Sequence, residues 1–359
     1  MLVGSFLLSV FLTAATKVFA IRIGFVSKPT DDRYSQYVIP LGGGIAIFAA
    51  LAVSILAAVI MVKFLVPAGY FNWLSPSVLE YAEGFIGRIN QLIVILCAAA
   101  VLFALGLWDD KKHLGPYFKL IVQFAAAITA AAFADVRVEF FMENRIITTF
   151  LSAVWIVFLI NSFNFLDNMD GASAGIAAIA CSILFVAAAV SGQVFVGGLA
   201  LVFIGTLLGF LIFNFPPARI FMGDAGSLVV GFFVAVLTLK TTYYQEALGG
   251  RWHAVFFPLV CMAVPMYDFA SVTILRLRQG KSLFAGDTQH FSHRLKKRGL
   301  TETQTVLTLY LATLCTGLGA TFLYQVDLIG AVLIFAQTFM VLAIIAILEA
   351  TGKNDSVRG

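Results

Sequence analysis

The chain has 359 residues, 61% of them hydrophobic and only 12% charged, with a mean hydropathy of +0.97. A soluble domain is about half apolar and a quarter charged, so composition excludes that class and points to a polytopic membrane protein. The formal net charge of +4 is modest and indicates no nucleic-acid partner; where the positive charges lie carries more information.

A helix needs about 20 apolar residues to cross a bilayer. The sequence predicts eleven such runs, near 2–21, 40–62, 90–108, 118–134, 147–163, 172–191, 196–213, 227–243, 254–275, 304–324 and 328–349. The expected fold class is therefore all-α, one integral membrane helical bundle over 1–359 without a soluble domain. The apolar N-terminus has no positive segment before it and reads as a first membrane helix, not a cleaved signal. Cys97, Cys181, Cys261 and Cys315 each stand alone in an apolar run and read as small buried hydrophobes. Of the 23 Lys and Arg, 16 fall in one set of loops, six in the other, and Lys17 lies inside the first span. The positive-inside bias puts the first set and the C-terminus in the cytoplasm and the N-terminus outside, in a cell inner (plasma) membrane. The outer loops near 71–87 and 135–145 carry no pattern to which a function attaches.

Acidic residues collect on the cytoplasmic side. Pro40-Leu-Gly-Gly opens the second span and reads as a helix start or hinge. The third span ends in Trp108-Asp109-Asp110-Lys111-Lys112. Adjacent carboxylates repel unless a cation lies beside them, and Mg²⁺, with Mn²⁺ as a substitute, suits one or two carboxylates plus substrate phosphates. Lys119, ten residues after Asp109, could hold a phosphate as a point charge or simply anchor the helix at the membrane surface. The fifth span runs into Asn161-Ser-Phe-Asn164-Phe-Leu-Asp167-Asn-Met-Asp170-Gly171. Ionisable groups near lipid cost about 2.5–3.5 kcal/mol at a helix centre and call for a partner.

Further on, Asn214-Phe-Pro-Pro-Ala-Arg-Ile-Phe221-Met-Gly-Asp224-Ala-Gly-Ser227 makes a rigid turn into a helix start. Free N–H groups there could receive phosphate oxygens, Asp224 is a candidate metal ligand with Asp110, and Phe221 could stack on a base or merely pack. The last polar segment holds Asp287, His290, His293 and Arg294 in a basic lid. Two His three apart could bind zinc, but no third ligand is near, and diphosphate binding is the better reading. Contact with anionic lipid is the plainer alternative. No Walker A or GxGxxG sequence is present.

Together these clusters resemble the polyprenyl-phosphate N-acetylhexosamine-1-phosphate transferases, nearer the WecA and TagO branch than the related MraY branch. The resemblance implies transfer of N-acetylhexosamine-1-phosphate, first of all GlcNAc-1-phosphate, from a UDP-sugar to undecaprenyl phosphate. The reaction is Mg²⁺-dependent, occurs at the cytoplasmic face, releases UMP and starts a cell-envelope polysaccharide. It implies that Asp109 deprotonates the lipid phosphate beside Asp110, and that Asp224 binds Mg²⁺. Phe221 stacks on uracil, and Asn214 sits by the diphosphate. Asn161, Asn164, Asp167 and Asp170 match the motif whose aspartates face the nucleoside, and His290 and His293 match the family's last loop. Three positions depart from the pattern: Asn168 follows Asp167 where Gly is usual, Ser292 stands for a middle His, and the first loop, Asp31-Asp-Arg-Tyr-Ser-Gln36, lacks its His. Direct attack and a covalent aspartyl intermediate are both open, as is a homodimer. The rival readings are an MraY-type phospho-MurNAc-pentapeptide transferase and a secondary transporter with intramembrane acids. The grouping of the acids at helix ends on one side, without a repeat, speaks against the transporter.

Overall fold

In lipid every backbone N–H and C=O must find an internal partner, so apolar runs of this length become helices. The structure, a computed structural model, describes residues 1–27, 38–68, 70, 84–138, 142–243, 250–280, 294–296 and 298–350. Its helices are α1 (Leu2–Arg22), α2 (Gly43–Ile60, continued by a π turn over Met61–Leu65), α3 (Ile89–Lys111), α4 (Pro116–Phe133), α5 (Arg145–Leu166) and α6 (Ala172–Val190). Then follow α7 (Val194–Asn214), α8 (Gly223–Lys240), α9 (Phe257–Cys261, after a 3-10 turn), α10 (Ala263–Arg278), α11 (Glu302–Thr321) and α12 (Leu328–Ala350). This is a polytopic membrane helical bundle.

Two of the eleven expected spans differ. Among the described residues nine helices are long and apolar enough to cross a membrane, or ten if Trp252–Cys261 and Ala263–Arg278, bent by 61°, count as one. The bend splits the expected 254–275 span. Its cause is Pro265, which has no N–H for the Cys261 carbonyl and whose ring collides with it. The remaining helix, α11, has the expected place and 20 residues but carries six threonines, which keep it out of the apolar set. Thr308, Thr313, Thr316 and Thr321 each donate to a carbonyl of their own helix, so the hydroxyls are satisfied without water.

Small residues carry the closest helix contacts of the bundle. The buried positions of α1 are Ser5, Ser9, Thr13 and Ala20, and Ser9 Oγ donates to the Thr206 carbonyl at 2.6 Å, while Phe11, Val3 and Leu7 face outward. Lipid tails are as apolar as Leu, so close approach and interhelical hydrogen bonds drive association, not hydrophobicity. Helix α8 is the most buried, over 78% of its span against 17% for α1 and 22% for α12. Two glycines let its neighbours touch its backbone. A Cβ on Gly44 of α2 would lie 2.3 Å from Gly226 N, and one on Gly106 of α3 would lie 2.5 Å from Ala225 Cα.

A short strap completes the frame. Strand β1 (Val26–Ser27) pairs antiparallel with β2 (Ile39–Pro40). Beyond it the chain bonds to the start of α8: Phe221 N–H donates to the Pro40 carbonyl, Gly43 N–H to Phe221 and Gly44 N–H to Met222. The Pro40-Leu-Gly-Gly and Phe221-Met-Gly-Asp224 segments are thus locked together through their backbones.

The close approach at Gly106 yields a direct test. Gly106→Ala places a methyl against the α8 backbone, and overpacking of this kind costs about 1–3 kcal/mol. Thermal unfolding in detergent should therefore occur at a clearly lower temperature, while Gly4→Ala, with nothing within 4 Å, should melt like the parent. Equal melting of the two variants would contradict the packing described.

Candidate active site

Four helix ends meet at one point: the C-termini of α3 and α5 and the N-termini of α4 and α8. Helix α4 starts at Pro116, where a missing N–H costs nothing. The link before it is closed by Asp109, only 6% exposed, whose Oδ1 accepts from Leu114 N–H at 2.6 Å. Its Oδ2 accepts from Lys119 Nζ, also at 2.6 Å. The same ammonium reaches Asp224 Oδ2 at 3.3 Å, and the Asp109 and Asp224 carboxyl groups are close enough to share a hydrogen bond. Asn164 fixes the other face of Asp224, donating to Oδ1 at 3.0 Å and to Ser227 Oγ at 2.8 Å.

Asp110 turns the other way and caps α8. Its Oδ1 accepts from Asp224 N–H at 2.8 Å and its Oδ2 from Ala225 N–H at 3.1 Å. A carboxylate at a helix N-terminus is stabilised by the helix dipole and satisfies orphan N–H groups. The approach requires Gly223, at φ +71°, where a Cβ would stand 2.7 Å from Asp110 Oδ2. The expectation that the start of α8 offers free N–H groups to a phosphate therefore does not hold at Asp224 and Ala225.

A second group of contacts organises the turn between α5 and α6. Asp167 is the C-cap of α5, and Asn168 donates to the Phe165 carbonyl. Asp170 Oδ2 accepts from Ala218 N–H at 2.8 Å. Burial holds the Asp170 carboxyl above the usual range; the Ala218 N–H opposes this, Glu302 adds to it and Lys296 opposes it. Asn214, expected beside a diphosphate, is only 2% exposed. Its Oδ1 accepts from Gly171 N–H at 3.0 Å and its Nδ2 donates to the Ile220 carbonyl at 2.9 Å. The contacts it shows are those of a brace between two turns.

The remaining expected residues are placed as follows. Asn161 lies one helical turn back from Asn164 toward the membrane interior and donates to Gln123 Oε1 at 2.7 Å. Phe221 is held by a parallel bridge to Leu41. Arg294 pairs with Glu349 at 3.0 Å and donates to Ser271 Oγ at 2.8 Å. His290 and His293, with Asp287, Ser292 and the 31–36 loop, lie outside the described residues. Arg276 and Asp268 are both buried, and the Arg276 guanidinium lies over the Phe165 ring, 5.0 Å from its centroid. Sequence reasoning gave no role to Gln123, Tyr310 or Glu349. Gln123 had a readable signal: a lone amide in an apolar run, four residues after Lys119 and so on the same helix face.

Asp109, Asp110 and Asp224 set three carboxyl groups against the one ammonium of Lys119. Among the described residues no three His, Cys, Asp or Glu side chains are grouped to hold a metal, so these residues form no closed cage. An ion held by Asp224 and its neighbour would take its other ligands from a bound molecule, the usual situation for Mg²⁺. The coupling can be tested by stability alone. Lys119→Met leaves two carboxyl groups facing each other and should destabilise the protein by about 1–3 kcal/mol. Adding Asp109→Asn should restore part of the loss in a double-mutant cycle of melting temperatures; strictly additive effects would exclude the contact.

The family model for glycosyl transferase family 4 matches residues 92–242, the stretch that supplies the whole charged cluster. A probable undecaprenyl-phosphate N-acetylglucosaminyl 1-phosphate transferase of Bacillus subtilis (strain 168) is 30% identical over 315 residues, covering 86% of this chain and 79% of that protein. An undecaprenyl-phosphate alpha-N-acetylglucosaminyl 1-phosphate transferase of Salmonella typhi is 28% identical over 334 residues, 88% of this chain and 81% of that protein. The enzyme of the same name from Escherichia coli (strain K12) is 27% identical over 320 residues, 85% and 77% of the two chains. With likeness of this extent running through both the scaffold and the charged cluster, the chain belongs to glycosyl transferase family 4.

Proposed function

We propose that the chain transfers N-acetylglucosamine-1-phosphate from UDP-N-acetylglucosamine to undecaprenyl phosphate and releases UMP. The observation that carries the reading is the Asp109–Lys119–Asp224–Asn164 cluster at the joint of four helix ends. The names of the relatives from Bacillus subtilis and Salmonella typhi support the acceptor and the sugar. In the reaction an oxygen of the lipid phosphate bonds to the β-phosphorus of the donor. The bond from that phosphorus to the bridging oxygen breaks, and the oxygen leaves with UMP. Phosphoryl transfer of this kind asks the protein for positioning and charge neutralisation, not covalent chemistry.

The residues divide this work. The lipid phosphate arrives from the bilayer at Lys119, and Asp109 beside it accepts the proton. Asp224, oriented by Asn164, is the protein's ligand for Mg²⁺, which supplies charge neutralisation at the diphosphate when bound. Asp110 holds the Asp224 backbone in place. Asp167 and Asp170, on the adjoining turn, face the nucleoside end of the donor. The 16-to-6 distribution of positive charge supports a site at the cytoplasmic face of the inner membrane.

Purified protein should release UMP from UDP-N-acetylglucosamine when undecaprenyl phosphate is present, lose turnover in EDTA and regain it with Mg²⁺ or Mn²⁺. Asp224→Asn should lower activity by about 10²-fold or more with little change in melting temperature. Full turnover in EDTA would remove the metal from the proposal. UMP release from UDP-MurNAc-pentapeptide alone would reassign the donor. The orientation is checked separately in a cysteine-free background: Lys112→Cys, on the exposed link after α3, should resist an impermeant thiol reagent in intact cells. Labelling from outside would reverse the proposed topology.

A further inference from the structure

Gly171 is held from both sides by groups outside its own turn. Its N–H donates to Asn214 Oδ1 at 3.0 Å. Its carbonyl accepts from Gly175 N–H at 3.0 Å, the first bond of α6, and from the Tyr310 hydroxyl at 2.6 Å. Both lone pairs of that oxygen are thus used. The residue itself is left-handed, at φ +72°, a conformation with little intrinsic preference that persists because its surroundings fix it.

Tyr310 has a slot prepared for it. It comes from α11, 139 residues along the chain and well beyond the 92–242 stretch of the family model. A Cβ on Gly175, one turn into α6, would stand 1.9 Å from the Tyr310 hydroxyl oxygen. Any side chain at Gly175 would therefore drive the hydroxyl off Gly171. Directly before Gly171 lie Asp167 and Asp170, the acids assigned above to the nucleoside end of the donor, and Asp170 is itself bonded to Ala218.

We propose that Tyr310 is a positioning residue for donor binding: by clamping the Gly171 carbonyl opposite Asn214 it sets the turn that presents Asp167 and Asp170. The kinetic half of this inference rests on the reaction proposed above; the clamp itself does not. A loss of the clamp loosens the donor end and leaves the Asp109–Lys119–Asp224 cluster, on other helices, as it was. Its signature is a rise in donor KM at nearly constant kcat, because the contact orders the ground-state site and touches no reacting atom.

The test uses full-length protein in lipid nanodiscs with Tyr310→Phe, which removes only the hydroxyl. Hydrogen exchange should speed up at the amides of 171–175 and remain unchanged at 114–119. The KM for UDP-N-acetylglucosamine should rise about threefold or more, the size of one lost neutral hydrogen bond, while kcat and the KM for undecaprenyl phosphate stay within about twofold. Gly175→Ala should reproduce both effects from the other side of the slot. Unchanged exchange at 171–175 in Tyr310→Phe would overturn the clamp whatever the kinetics. Faster exchange with an unaltered donor KM would overturn the role in donor binding. A parent protein that turns over no UDP-N-acetylhexosamine would defeat the proposed reaction and the donor half of this inference together, while exchange would still decide the clamp.

Discussion

The ammonium of Lys119, held between Asp109 at 2.6 Å and Asp224 at 3.3 Å, is the contact on which the arrangement of this protein depends. Carboxylates brought together at the edge of a low-dielectric bundle repel one another, at about 4 kcal/mol for unit charges 4 Å apart in a partly screened setting. Lys119 offsets that for two of them, and the third, Asp110, is offset by the positive end of α8. The helices that carry these groups cannot slide past one another without separating opposite charges. The electrostatics of the cluster and the register of α3, α4, α5 and α8 are therefore one constraint. The small residues at Gly44, Gly106 and Gly223 follow from it, since only bare backbone lets α2, α3 and the Asp110 carboxylate come so near the start of α8.

The same economy recurs farther in. Lys119 and Gln123 share a face of α4, as Asn164 and Asn161 share one of α5. The first of each pair meets Asp224, and the second members bond to each other. An amide pair in the membrane interior satisfies two groups that would otherwise stand unpartnered in lipid, and it fixes the rotation of both helices. Asn161 thereby ties α5 to the helix that carries Lys119. That gives a physical reason for an asparagine so deep in an apolar run.

How much of this could be read from the sequence depended on distance along the chain. Asp109 and Asp110 end one helix and Lys119 opens the next, and that spacing made them candidates for holding a cation and a phosphate. Lys119 remained divided between surface anchor and phosphate holder because its second partner, Asp224, is 105 residues away. Asn214 was ambiguous for a related reason. It lies in a phosphate-type motif, yet its amide ties Gly171 to Ile220, and a brace leaves the same mark in one sequence as a binding residue. Tyr310 left no mark, because a hydroxyl that meets a backbone carbonyl demands nothing of its partner's side chain. The break before α10 was legible in principle at Pro265, but an apolar average over 254–275 conceals a single missing N–H. The polar threonines of α11 had the opposite effect on the average, although Thr308, Thr313, Thr316 and Thr321 bond within the helix.

The charge balance bears finally on how a substrate enters. Both proposed substrates are phosphates, and the site they approach carries three carboxylates, one lysine and an α8 start whose first two N–H groups are already taken by Asp110. An anion that met this cluster alone would compete with Asp109 for Lys119 and would face the Asp224 carboxyl group at short range, an unfavourable encounter. In the proposed reaction a divalent ion accompanying the diphosphate would reverse that sign, because Asp224 would serve as its ligand and Lys119 would keep Asp109 as its partner. On the proposed reaction, this charge balance favours a diphosphate that arrives with its metal over a bare phosphate. The ammonium of Lys119 would then be the cationic group of this cluster that meets the phosphate of the acceptor.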